Sequence, residues 1–170
     1  NTWHNVIYTL QGNTLKIYID NVLDKQVTGI LTPLSWSGSR VIGCRNDLVM
    51  TSATNYAGLF DDLLIYNRAL TVTEVGQVYS NSCSTPDINI GLVAQYDFTG
   101  NANDVSGNGN NGTVNGATLV ADRFGNANSA YSFDGTNNYI EVPDNSSLQF
   151  TSNLQTISFW MKIPQIPNPI

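Results

Sequence analysis

The run Asp61-Asp62-Leu63-Leu64-Ile65-Tyr66-Asn67 holds the sharpest chemical problem in this chain. Period-2 alternation places Asp61 on one strand face with Leu63 and Ile65. If that face is buried, a bare carboxylate there is expensive and needs a cation or well-aimed hydrogen bonds. A hard divalent ion meets the need, because calcium accepts irregular shells of carboxylate and carbonyl oxygens. The plainer alternative is that Asp61 caps a turn. No Asp-x-Asp-x-Asp-Gly loop is present to settle the choice by motif.

Aromatic rings offer a second chemistry, since their faces bind the apolar faces of sugar rings while Asn and Asp bond the hydroxyls. Trp160 alternates against Phe159 and Met161 and is the best exposed candidate. Trp36, in Pro-Leu-Ser-Trp-Ser-Gly-Ser, is a candidate contact at a loop tip. The competing reading is sheet packing, the commoner use of aromatics at strand spacing. His4 is the only histidine, so any Ser-His-Asp relay would have to use it, and no Gly-x-Ser-x-Gly elbow supports one. The Gly-rich run Ser106–Gly112 lacks the Lys-Ser/Thr of a phosphate loop. Cys44 and Cys83 have no Cys-x-x-Cys neighbour, which argues against zinc; they form either one disulfide in an oxidising compartment or two separate thiols.

Composition narrows the partners. Seven Lys and Arg stand against 13 Asp and Glu in 170 residues, for a net charge of −6. With no basic run, neither nucleic acid nor an anionic membrane surface is an expected partner. No stretch approaches the ~20 apolar residues that span a bilayer, so no membrane insertion is expected. Charged residues are only 12%, in a background rich in Asn, Gly, Ser and Thr, which suits short strands joined by tight turns.

The elements that must position these residues follow from periodicity. Leu15, Ile17 and Ile19 alternate with Lys16, Tyr18 and Asp20, and Asp20-Asn21 reads as a two-residue hairpin turn. Ile157, Phe159, Met161 and Ile163 alternate with Ser158, Trp160 and Lys162. Ala130–Gly135 and Asn138–Pro143 read as strands, and Asn115-Gly116 predicts a hairpin between two short ones. One short helix is expected near 72–79: Thr71 and Glu74 form a capping box, and Leu70 and Val75 a hydrophobic staple. The polar, Pro-containing stretch 81–91 is the natural linker. The sum is an all-β antiparallel sandwich with one helix.

Several of these stretches resemble the laminin-G-like, concanavalin A-like jelly-roll family. Thr2–Leu23 is similar to its Trp-His strand leading into a Tyr-Ile-Asp hairpin, and Phe60–Leu70 to its closing strand. Asn101–Thr113, Ser129–Gly135 and Thr156–Lys162 resemble its opening half. The order is therefore tail before head. The resemblance implies that residues 1–80 are the C-terminal half of one such domain and 92–170 the N-terminal half of a second, after the linker 81–91. Both ends fall in mid-pattern, so the chain is expected to be a piece of a longer tandem array. The family's middle strands occur in neither half. The halves are complementary, and could pack on each other as an approximate, incomplete circular permutant with exposed edges.

The family often holds a structural calcium between its first and last strands. On this chain that implies Asp61 as a metal ligand, with Asp97, Asn101 and Asp104 supplying further oxygens. The alternative for Asp104 is that it organises the Gly-Asn loop by side-chain-to-backbone bonds. Leu64 stands where the family usually carries a basic residue. Glycoside hydrolases of this sandwich carry a Glu-x-Asp-x-x-Glu strand, which this chain lacks; its two glutamates are Glu74 and Glu141. The resemblance thus implies a non-catalytic recognition module of a secreted or cell-surface protein. Its expected partners are a glycan or other cell-surface ligand and the neighbouring domains of the same polypeptide. The alternatives are an accessory fragment of a secreted hydrolase and a spacer without ligand.

Overall fold

Among the described residues, the strand signals assemble into two antiparallel sheets. The structure, a computed structural model, describes residues 2–29, 38–44, 55–81, 87–150 and 152–164. Trp36, Cys83 and the centre of the expected linker lie outside the described residues. In chain order the elements are β1 (His4–Gln11), β2 (Thr14–Ile19), β3 (Val22–Thr28), β4 (Arg40–Ile42), β5 (Ala57–Tyr66), α1 (Val72–Ser80), β6 (Leu92–Tyr96), β7 (Thr113–Asn115), β8 (Thr118–Val120), β9 (Ala130–Asp134), β10 (Tyr139–Val142) and β11 (Leu154–Lys162). The larger sheet runs β3-β2-β1-β11-β5-β9-β8, with β6 also paired to β5. The smaller runs β4-β10-β7. This is a mostly β, antiparallel sandwich of the jelly-roll type.

Alternation along the central strands serves two cores. Between the sheets pack Leu63, Phe98, Tyr131, Phe133, Ile140 and Ile157, with Phe60, Ile65 and Phe159 against them. On the other face of the large sheet, Ile7, Tyr18 and Tyr66 pack under Leu70 and Val75 of the helical segment. Consecutive residues such as Leu64 and Ile65 therefore enter different cores, and β5 reads as an unbroken apolar run because both its faces are covered.

The helix follows its local signals. Thr71 Oγ1 accepts from the Glu74 N–H at 3.3 Å, and Glu74 Oε2 accepts from the Thr71 N–H at 2.7 Å. Asn81 ends α1 in the left-handed conformation, at φ 53°. The β2–β3 turn is likewise as the sequence predicts: Asp20 and Asn21 have φ of 48° and 66°, and Ile19 pairs with Val22.

Two local expectations are corrected. Asn115-Gly116 does not close a hairpin. β7 pairs with β10 in the small sheet, while β8 pairs with β9 in the large one. Gly116, at φ 75°, is the corner at which the chain changes sheets. The second correction concerns Asp61, which does not share a face with Leu63 and Ile65. Trp160 pairs with Asp61 and Ser158 with Leu64, so two residues of β5 oppose Phe159 alone. The extra residue is Asp62, at φ 46°. This β-bulge resets the alternation. Phe60 and Leu63, three apart, both reach the inter-sheet core, and Asp61 turns to the helix side beside Trp160.

Candidate functional site

The bulge aims Asp61 at a place where three segments meet: β5, the C-terminal end of α1, and the loop after β8. Asp61 is 2% exposed. Its Oδ1 accepts the Asp62 N–H at 2.8 Å, and its Oδ2 accepts from Arg123 Nη1 at 3.0 Å. The same Nη1 lies 2.6 Å from Asp62 Oδ2. Burial, and then the neighbouring Asp62 carboxylate, outweigh the one guanidinium and push the Asp61 carboxyl up to about 7.

Arg123 is positioned by its own loop. Asp122 Oδ1 accepts the N–H groups of Phe124 and Asn126, both at 2.8 Å, and its Oδ2 accepts from Asn126 Nδ2 at 2.8 Å. Burial opposes ionisation of Asp122, but these bonds prevail and hold its carboxyl below the usual range. The turn delivers the Arg123 guanidinium between two rings, 4.3 Å from the Phe124 centroid and 4.4 Å from that of Trp160. Trp160 in turn stacks on Tyr79 of α1 at 5.7 Å and 21°. Tyr79, Trp160, Arg123 and Phe124 thus form one continuous pile whose outer member, Phe124, is 70% exposed.

The pile walls an open groove of about 610 Å³, which Trp3, Asn81 and Lys162 also line. A smaller recess of about 240 Å³ shares Asn81, Arg123 and Trp160 with it and adds Asp62, Gln95 and Asp97. Groove and recess together therefore set exposed aromatic surface beside amide, carboxylate and ammonium groups, with Asn81, Arg123 and Trp160 common to both. Trp160 is half-buried and stands at its centre.

The expected metal ligands are not gathered. Among the described residues, no group of three or more His, Cys, Asp or Glu is placed to hold a metal ion. Asp97 Oδ1 accepts the Thr99 N–H at 3.1 Å, and Asn101 Oδ1 the Asn103 N–H at 2.8 Å. Asp104 Oδ1 accepts the N–H groups of Gln95 and Ser106, both at 2.9 Å, and its Oδ2 that of Asn110 at 3.0 Å. Burial works against Asp104, yet these bonds hold its carboxyl below the usual range. Asp104 thus ties the Gly-Asn loop to β6 by side-chain-to-backbone bonds. The donors present do not fit a calcium shell shared by Asp61, Asp97, Asn101 and Asp104.

Arg123, Phe124 and Tyr79 escape a reading of motifs. One signal is available for Arg123: it is the only Lys or Arg between Arg68 and Lys162, so any ion pair made within that long stretch must use it. The groups that could suggest catalysis are engaged elsewhere. Glu74 is bound to Thr71 and to Arg68 Nη2 at 2.7 Å. His4 Nδ1 lies 2.7 Å from Asp20 Oδ2, and its Nε2 3.0 Å from Thr2 Oγ1. That alignment imitates a relay, but side-chain exposures of 51% for His4 and 37% for Asp20 leave it in water. Asp20 Oδ1 also accepts the Asn5 N–H at 2.9 Å, so the pair clips the β2–β3 turn to β1.

Sequence comparison agrees with the architecture. Residues 1–76 match the model of the concanavalin A-like lectin/glucanases superfamily. Over that stretch the chain is similar to this superfamily, in line with the laminin-G-like resemblance that its motifs carry. Residues 99–169 match a second model, described as Clostridium neurotoxin, N-terminal receptor binding. Neither a curated protein nor a solved structure matches the chain. The first description covers both lectins and glucanases, the second a receptor-binding domain. Among the described residues, no helix is long and apolar enough to cross a membrane.

Proposed function

We propose that this chain is a non-catalytic recognition module that takes a glycan in the groove beside Trp160. The observation that carries the reading is the Tyr79–Trp160–Arg123–Phe124 pile, with the Phe124 ring exposed at the mouth of a groove lined by polar groups. A pyranose ring presents an apolar C–H face and a hydroxyl rim. The aromatic wall suits the face, while Asn81, Asp62, Asp97 and Lys162 suit the rim. The groove is open, so single-site affinity is expected to be weak. Function then requires repetition along a secreted or surface-anchored polypeptide, where neighbouring modules raise the effective concentration. The two matched families, lectin-like and receptor-binding, support a module that works outside the cell.

The test is a glycan array followed by calorimetry on the best binders. Phe124→Ala removes an exposed ring without opening a core, and is expected to weaken binding at least about tenfold while the chain still melts cooperatively. An array without binders, or a Phe124→Ala variant that binds as the parent does, overturns the reading.

A further inference from the structure

The family resemblance assigns the positive charge beside the closing strand to a divalent ion, and the donor set does not fit one. Asp61 nevertheless remains buried and needs a counter-charge. We propose that Arg123 is the resident cation of this sandwich: its guanidinium bridges the Asp61 and Asp62 carboxyl groups in place of a metal and, by the same contacts, holds the walls of the aromatic groove in position.

Four observations converge on that assignment. Both Asp61 oxygens have partners, one of them Arg123 Nη1. That nitrogen also reaches Asp62, so one cation bridges two carboxylates, the geometry in which a metal ion would otherwise serve. The Arg123 side chain is only 9% exposed, and its two faces are covered by Trp160 and Phe124. A planar, weakly hydrated guanidinium is the cation suited to such a slot; a compact, strongly hydrated ammonium is not. Finally, the Asp122 turn that presents Arg123 is itself tied by three bonds, so the cation is delivered by a rigid loop. Arg123 is a positioning residue here: it acts on the groove through Trp160 and Phe124.

The experiment uses the full 170-residue chain and reads melting temperature and tryptophan fluorescence in millimolar calcium and in EDTA. The parent is expected to melt at the same temperature in both, whereas a native-state metal ligand would raise it. A calcium-induced rise in the parent overturns the proposal. Arg123→Ala is expected to lower the melting temperature by roughly 10 °C, because it strands a buried carboxylate. It should also change the fluorescence, because Trp160 loses its stacked cation. An Arg123→Ala variant with unchanged melting and emission overturns the proposal as well. If that variant fails to fold, the Asp61→Asn, Arg123→Met pair decides. With the buried charge removed, the double variant should melt well above Arg123→Met alone, and additive losses refute the coupling. A last arm rests on the glycan reading: binding is expected to be the same in EDTA. Absence of any glycan binding sinks that reading and leaves the melting and fluorescence arms standing; binding abolished by EDTA overturns the proposal instead.

Discussion

Two carboxyl groups give this protein opposite responses to pH. Asp61 sits at about 7 in the folded chain, above its ordinary value of 3.8, mainly because it is buried and secondarily because Asp62 is beside it. A raised carboxyl binds its proton more tightly when folded, so its contribution is fully present below about pH 4 and is lost as pH rises through 7. Glu74 is held down at about 2, first by the bond from Arg68, against burial and with help from Thr71. Its contribution is present above about pH 4.5 and is lost as pH falls towards 2. Stability is therefore expected to peak near pH 4–4.5, to decline as pH rises to about 7 and to level off above that. In Asp61→Asn the decline between about pH 4.5 and 7 should disappear while the acid limb remains, a result that thermal melts from pH 3 to 8 would show. The lesser part of the acid limb, the bonds between Thr71 and Glu74, is legible in the sequence as Thr-x-x-Glu; the larger part, the bond from Arg68, carries no motif. The neutral limb was legible only in part: the need of Asp61 for a counter-charge follows from its setting, but its partner lies 62 residues away on a loop with no motif.

At the scale of elements, local signals succeeded where they concern one segment and failed where they concern two. The capping box and the Asp20-Asn21 turn depend on residues three or fewer apart, and both formed. Asn115-Gly116 carries a sound turn signal, but whether the flanking strands pair depends on which sheet each one joins, a long-range matter. The bulge at Asp62 is hidden for a related reason. Leu63, Leu64 and Ile65 are apolar on both faces, so alternation alone cannot reveal a slipped residue. The same knowledge of α1 yields a stabilising change. Gly76 lies inside the helix without a positive φ, and a Cβ built there meets only the Asn21 side chain, at 3.6 Å, an ordinary contact. Gly76→Ala is expected to stabilise the chain by about 0.5–1 kcal/mol through lower unfolded-state entropy and better helix propensity. A denaturant midpoint that does not rise would show that α1 cannot take the methyl group in its packing against the β2–β3 turn.

At the scale of the molecule, the two sequence halves share one sheet. β11, from the second half, lies between β1 and β5 of the first and is paired along its length with both. β6 and β9, also from the second half, pair with β5. Residues 2–81 alone would retain the β1-β2-β3 meander and the α1 contacts, but would expose the edges of β1 and β5 where β11 belongs. Residues 87–164 alone would lose every ladder partner of β11 and β6. Neither piece can satisfy its backbone or cover its apolar faces unaided. The expected outcome is that each half, made separately, lacks cooperative melting and near-ultraviolet ellipticity, and that mixing restores both as β11 inserts. The restored species should also recover the tryptophan emission of the intact chain, because Trp160 comes from one half and its stacking partner Tyr79 from the other. Cooperative folding of either half by itself would mean that its strands find a different pairing. The shared sheet would then be only one of the arrangements open to these segments.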